Sequence, residues 1–589
     1  MKSSCALALL LICSPLAAAG QSKPASHADA DRTAAKVTRL ADAYVAQFMA
    51  RFPDQAELGG LSIARHDTLT DNSLEALRAW QALEDGWAKE IESLDASVLR
   101  RRPEWVTHGF LKEAIESSRR TRVCRYELWP ANHLSGWQAY MAQLASVQPV
   151  GTDKARAEAL TRWAQLPNYL DTEVRNLQEG ARLGYSSPKS VVRLVIEQLD
   201  ALLASPIEQW PFYGPAEHDE SGTFKAEWAK LLTEQVKPGI ERYRAYLKDL
   251  YLAQARDAIA ITANLDGQSC YQASFRAYTT IERPAAHTFE LGRRRVEKNL
   301  AEALEIGRKS LGTGELEPLV ARINEDRANH FASREEMLGF AQDAVQRSRK
   351  RLPEFFNRLP AADVTVEPYP AFLEREANDS YWPAAEDGSR PAKYMITLFR
   401  FAKTTRSNSE ITAFHEAYPG HHLQLGLARE RPAAHPITRL VGNSGFAEGW
   451  ARYSEALAEE MGLYTSDYAR ANRRLWPARG MVVDPGIHLF GWTREQAAEF
   501  MAESGRFTPE ESAAAVDRIA MWPGQLTAYD TGALEFFALR EQAEQALGDR
   551  FDIREFHGVL LESGTVTLPM LREQVQAWLE SKKGSPGAQ

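Results

Sequence analysis

His415-Glu416-Ala417-Tyr418-Pro419-Gly420-His421-His422 is the stretch on which the reading of this chain turns. Three of the chain's thirteen histidines fall in it, beside a carboxylate. A later run, Gly445-Phe446-Ala447-Glu448-Gly449-Trp450-Ala451-Arg452-Tyr453, adds Glu448. Together they read as a zinc site with its general base. Catalytic zinc takes three protein ligands and keeps one position for water. Imidazole and carboxylate donors suit that ion. The common hydrolase pattern, His-Glu-x-x-His, sets two histidines on one helix face with the Glu as base. Here the fourth residue after His415 is Pro419, which offers no metal donor.

In an unbroken helix His421 would point roughly 120° away from His415, at about 100° per residue. His422 would share the face but lie about 10 Å along the axis. Neither could then share one ion with His415. Pro419 changes this, because it removes a helical hydrogen bond and its ring clashes with the His415 carbonyl. Gly420 opens backbone angles closed to other residues. The helix is therefore expected to bulge at Pro419-Gly420 and to return a histidine to the metal. His421 is favoured, with His422 as a neighbour or substrate contact. The plainer alternative is a helix that ends here, since a cationic histidine is favourable at a helix C-terminus.

Helical periodicity dominates the rest of the chain. Residues 34–50, 73–99, 154–181, 188–203, 226–255, 286–310, 333–352 and 445–460 read as amphipathic helices, and 535–582 as helical. Pro188 falls where a first-turn proline is welcome. Strand signals are few: residues 363–368 alternate, and 393–399 form the better strand. The expected fold is mainly α, with a small β-sheet. Composition is that of a globular chain, 44% hydrophobic and 25% charged. The net charge of −9 argues against nucleic acid as a partner.

Residues 1–19 read as a signal peptide, with Lys2, an apolar run from Ala6 to Ile12, and Ala17-Ala18-Ala19 for cleavage. Cys13 raises the question of a lipoprotein, but Ile12 before it is bulky where a small residue is usual. Export to the periplasm or medium is the expectation. No stretch is long and apolar enough for a transmembrane helix. Residues 20–30 read as a flexible segment, 31–583 as a single domain, and 584–589 as a tail. Cys124 and Cys270 remain after cleavage; they either pair in an oxidising compartment or stay as buried thiols.

Several further residues invite a role. Glu448, Arg452, Glu455 and Glu459 recur at helical spacing, so one of Glu448 and Glu455 can be a ligand and the other a supporting or surface acid. Asp484-Pro485-Gly486-Ile487-His488 looks too irregular for helix. His488 is a candidate donor to a substrate carbonyl or a hydrogen-bonded structural histidine, and Asp484 could orient a ligand or an arginine. Arg474 and Arg479 could hold a substrate carboxylate by a bidentate pair. Tyr529, with Gln525 one turn earlier, is a candidate to steady an oxyanion or a core tyrosine.

HEAYPGHHLQ followed by EGWARY resembles the bacterial domain-of-unknown-function 885 family. The likeness continues through Leu128 to His133, Asp387 to Pro391, Val483 to His488, Gly491-Trp492-Thr493, Pro523-Gly524-Gln525 and Tyr529 to Gly532. It covers most of the chain. That family resembles the gluzincin metallopeptidases, helical folds around a zinc cleft. The resemblance implies Glu448 as third ligand beside His415 and His421, with Zn2+ as cofactor. It also implies an edge strand beside the cleft, a place offered to 393–399, where an extended peptide can pair. The loop Tyr381 to Arg390 would form a lip. The implied activity is hydrolysis of a peptide. Glu416 takes a proton from water held by the ion, and Tyr529 and His488 steady the oxyanion. A zinc hydrolase of non-peptide amides or esters, or a binding protein with a vestigial site, fits the same residues.

Overall fold

A computed structural model describes residues 27–100, 102–370, 374, 378–384, 391–431 and 435–583. The expected leader, residues 20–26 of the flexible segment, residues 385–390 of the lip and the tail lie outside them. The fold is mainly α-helical, with one three-stranded sheet. No described helix is long and apolar enough to cross a membrane.

The expected helices form, and their breaks follow local chemistry. The first begins at His27, inside the segment expected to be flexible, and buries Ala30 and Ala34. The second starts at Leu74 because the Ser73 side chain accepts from the Ala76 N–H. The 154–181 stretch divides into Asp153–Trp163 and Leu166–Leu183, with Pro167 in the first turn of the latter. There its missing N–H costs nothing. Pro188 stands one place earlier than expected, as the residue before Lys189–Ala204. In 226–255 two wide π turns interrupt the helix, at Leu232–Val236 and Leu247–Tyr251. The first precedes Pro238, which has no N–H for the carbonyl of residue 234.

The sheet is ordered β1 (Val364–Pro368), β3 (Ala392–Ile396), β2 (Ser380–Trp382). β1 runs parallel to β3 and β2 antiparallel to it. The strand expected at the edge, β3, is therefore central. The edge is β2, three residues too short to show a period.

Six helices build the site: α1 (Arg406–Glu416), α2 (His421–Arg429), α3 (Ser444–Glu460), α4 (Gly480–His488), α5 (Pro509–Met521) and α6 (Thr527–Leu547). Thr405 caps α1 by accepting from the Asn408 N–H, and Asn329 accepts from the Ser407 N–H. The buried Glu410 anchors α1 at mid-length through a pair with the half-buried Arg347 at 2.6 Å. α3 and α6 cross in close contact at glycines. A Cβ on Gly532 would lie 1.8 Å from the Gly445 carbonyl oxygen, so only glycine fits. α4 corrects the sequence reading of 484–488 as irregular. All nine of its residues are buried, and that burial outweighs Pro485 and Gly486 in its interior.

The largest hydrophobic core joins the N-terminal helices, the sheet, α1 to α3 and the C-terminal helices. A second cluster draws only on residues from Ala131 to Ala255 for its buried members. Cys124 and Cys270 are joined by a disulfide.

Candidate metal centre

α1 stops at Glu416, and residues 417–420 turn the chain before α2 begins at His421. The helix thus breaks in two, where a bulge within one helix was expected. The Tyr418-Pro419 bond is cis. A Cβ on Gly420 would fall 1.9 Å from the His415 carbonyl oxygen, so the turn demands glycine. α3 pins it from outside: Trp450 Nε1 and Ser454 Oγ donate to the Pro419 carbonyl at 3.0 and 3.1 Å.

The turn brings His421 back to His415, their rings perpendicular with centroids 4.8 Å apart. Both Nε2 atoms lie 3.5 Å from one oxygen, Glu448 Oε2 on α3. Among the described residues these three form the one group whose donor atoms fall within 4.8 Å of one another. Two features of the donors are compatible with a metal ion. First, ligands at about 2.0–2.2 Å in a tetrahedron stand roughly 3.3–3.6 Å apart, whereas good N–H···O bonds are shorter. Second, His415 Nδ1 donates to Glu455 Oε1 at 2.9 Å, which leaves the Nε2 lone pair for a metal. Glu455 is itself held by Arg452 at 2.7 and 2.9 Å. Such a carboxylate behind a ligating imidazole fixes tautomer and ring orientation.

Acid and imidazole shift one another. Burial works against a cationic His415, but Glu448 and Glu455 outweigh it and raise the imidazole to about 9. Burial would raise Glu448 and Glu455; instead the two histidines hold Glu448 well below the carboxylate range, and Arg452 with His415 does so for Glu455. Glu416 behaves differently. Burial raises it, the two histidines oppose this only in part, and the Tyr381 N–H donates to it. That donor belongs to β2, so the edge strand borders the candidate base.

We expect Glu455→Gln to weaken zinc binding about 10- to 100-fold, as loss of such an outer partner does elsewhere. A chelator competition assay measures this, with melting temperature recorded because Arg452 loses its partner. Unchanged affinity would show that Glu455 does not steer His415.

A family profile described as "Bacterial protein of unknown function (DUF885)" matches residues 53–575. The chain belongs to this family. Two solved structures share the fold of this DUF885 protein. One is a candidate lipoprotein from Colwellia psychrerythraea, 24% identical, with a TM-score of 0.84, covering 94% of this chain and 99% of that one. The other is a candidate lipoprotein of unknown function from Shewanella oneidensis, 18% identical, with a TM-score of 0.74 over 92% of this chain and 99% of that one. No curated protein matches the chain.

The remaining sequence candidates divide sharply in the DUF885 structure. Tyr529 reaches the centre: its ring stacks on His415 at 6.3 Å, and its hydroxyl, raised by burial, lies in the field of Glu448. Gln525 accepts from Arg518 Nη2 at 2.8 Å, and the same nitrogen lies 3.5 Å from the Tyr529 hydroxyl. His422 lies outside the convergent group. Its two ring nitrogens face the hydroxyls of Tyr381 and Tyr418 at 3.1 and 3.0 Å, and burial lowers it to about 4.

His488 is corrected from catalytic donor to structural histidine. Fully buried, it accepts from the Ile261 N–H at 3.0 Å and donates from Nε2 to the Ile519 carbonyl at 3.1 Å. Neither nitrogen is left for a substrate. Asp484 accepts from the Tyr271 hydroxyl and the Gly524 N–H, so it shapes the turn before Gln525 and orients no ligand. Arg474 pairs with Glu302 and Glu459, and the buried Arg479 with Glu503 and backbone carbonyls. Neither is available to a substrate carboxylate. Sequence reasoning missed Arg518 altogether. It lies on α5, a different helix from Tyr529, so no spacing joins them. Arg452 did carry a signal, three residues before Glu455 on one face.

Proposed function

We propose that this protein is an exported zinc-dependent metallopeptidase. The observation that carries the reading is the convergence of His415 Nε2 and His421 Nε2 on Glu448, with Glu455 behind His415 and Glu416 beside the group. Zinc held by His415, His421 and Glu448 would supply a Lewis acid and lower the pKa of water bound to it. Glu416, raised by burial, is the base that takes a proton from the attacking water and hands it to the leaving amine. β2 borders Glu416 and is an outer strand of the sheet, beside which a peptide could lie extended. Tyr529 donates its O–H to the developing oxyanion. Arg518 Nη2 lies 3.5 Å from the phenolic oxygen, where its charge would make the hydroxyl a stronger donor. Export is supported by the leader-like N-terminus, by the Cys124–Cys270 disulfide, and by the lipoprotein description of both solved relatives.

The test is metal content and turnover on one preparation. Mature protein purified without chelators should carry about one zinc per chain by mass spectrometry and cut members of a peptide panel. Protein that folds and takes up no zinc would end the reading.

Tyr529→Phe should lower kcat about 10²- to 10³-fold, the usual cost of one oxyanion donor. KM should move little, since the bond belongs to the transition state. Removing one oxygen leaves the ring on His415, so zinc content and melting temperature should stay as they are. An unchanged kcat with a sharply lower melting temperature would make Tyr529 a packing residue.

A further inference from the structure

With Arg474 and Arg479 committed elsewhere, two arginines at the site form no ion pair among the described residues, Arg518 and Arg506. Arg518 Nη2 donates to Gln525 Oε1 at 2.8 Å and lies 3.5 Å from the Tyr529 hydroxyl. Its guanidinium stands over the Trp522 ring at 5.4 Å. Both polar partners are neutral. Among the described residues no carboxylate forms an ion pair with it; the acids whose fields it shares are the candidate ligand Glu448 and Asp484, which is already committed to Tyr271 and Gly524. Arg518 is half-buried. A guanidinium has five N–H donors in a fixed fork, and here one nitrogen serves both partners. A partly desolvated charge without a counter-charge is costly to keep, and the missing counter-charge can come with the substrate.

Its position says where on the substrate that charge lies. The Tyr529 ring stacks on the ligand His415, and Arg518 is one step beyond the Tyr529 hydroxyl. Consecutive α-carbons of a peptide are about 3.8 Å apart. A carboxylate one residue past the scissile carbonyl therefore falls about one such step beyond the group that faces that carbonyl. Arg452 stands over the Tyr529 ring at 5.9 Å but is paired with Glu455, which leaves Arg506 as the alternative. Among the described residues it makes no ion pair, but it shares its side of the site with Glu455 and Asp379, where an incoming anion meets two acids.

We propose that the substrate carries a carboxylate one residue beyond the bond that is cut, and that Arg518 receives it. This rests on the peptidase reading above. The carboxylate is either the peptide's own C-terminus, which makes the protein a carboxypeptidase, or an Asp or Glu side chain at that position. Arginine's fork suits either as a bidentate pair.

The test uses full-length Glu416→Gln protein, zinc-loaded, to bind peptides without cutting them. Three matched peptides are titrated by calorimetry: one ending in free alanine, its C-terminal amide, and an amide ending in glutamate. At least one carboxylate peptide should bind roughly 10- to 100-fold tighter than the alanine amide. If the free-alanine peptide shows the gain, the source is the chain terminus; if the glutamate amide shows it, the side chain. Adding Arg518→Gln should erase the gap, and Arg518→Lys should keep part of it, a point charge replacing a fork. Zinc content and melting temperature of every variant separate recognition from misfolding. Equal binding of all three peptides, or a gap that survives Arg518→Gln, overturns the proposal. So does a gap erased by Arg506→Gln and left intact by Arg518→Gln. Wild-type protein that cuts no peptide, while an Arg518-dependent gap is present, would sink the peptidase reading and leave the carboxylate site standing.

Discussion

Glu416→Gln is expected to retain its zinc and to lose about 10²- to 10⁴-fold in kcat, the range for removal of a general base. The substitution keeps the size of the side chain and an oxygen that can still accept from the Tyr381 N–H. It removes the group that binds the proton. Glu416 is not among the three convergent donors, so metal content should match wild type by mass spectrometry. Because burial keeps a charged Glu416 at a disadvantage, the neutral amide should leave melting temperature level or slightly raised. Loss of zinc together with activity would make Glu416 a ligand and would demand a different base. Full activity in a zinc-loaded variant would remove Glu416 from the chemistry.

His421→Ala should lose most of its zinc and, with it, activity. Three donors become two, and catalytic zinc sites use three. His422→Ala is the matched control one residue away. It should keep the metal, because both nitrogens of His422 face tyrosine hydroxyls. Its cost should appear in stability. Removing it takes one hydrogen bond from the Tyr381 hydroxyl and one from the Tyr418 hydroxyl, which keeps Asp363 at 3.2 Å, and a lost hydrogen bond costs about 0.5–1.5 kcal/mol. Metal analysis and melting curves on both variants check the pair. Zinc retained by His421→Ala and lost by His422→Ala would reverse the assignment.

The centre was legible because the chemistry is local. His415, Glu416 and His421 lie within seven residues, and the breaker that makes their spacing workable, Pro419-Gly420, stands between them. What the sequence could not give is the form of the break. Whether a helix bulges or ends depends on whether α3 supplies Trp450 and Ser454 to the Pro419 carbonyl, and those partners are more than 30 residues away. His488 misled for a related reason. A histidine beside Asp-Pro-Gly looks exposed and functional, whereas burial of the whole of α4 commits both its nitrogens to backbone. Arg474 and Arg479 were plausible by type and wrong by partner. Arg518, the arginine that does reach Tyr529, comes from another helix and left no periodic trace. β2 was missed because three residues carry no period, although it is the strand that borders Glu416. The helices named from periodicity form, while Pro103–Thr121, Gly267–Thr279 and α4 were not read from it; helix breaks were set by single prolines and caps.

The disulfide has a topological consequence. Cys124 and Cys270 lie 146 residues apart in sequence and 4.6 Å apart between α-carbons. Every buried member of the second hydrophobic cluster, Ala131 to Ala255, falls on the stretch between them. The thread of the chain thus enters and leaves this bead through one doorway, little wider than the roughly 3.8 Å between neighbouring residues. None of Glu416, His415, His421, Glu448, Glu455, Arg518 or Tyr529 is strung on it. A cut anywhere inside the bead leaves a single covalent molecule until reductant is added.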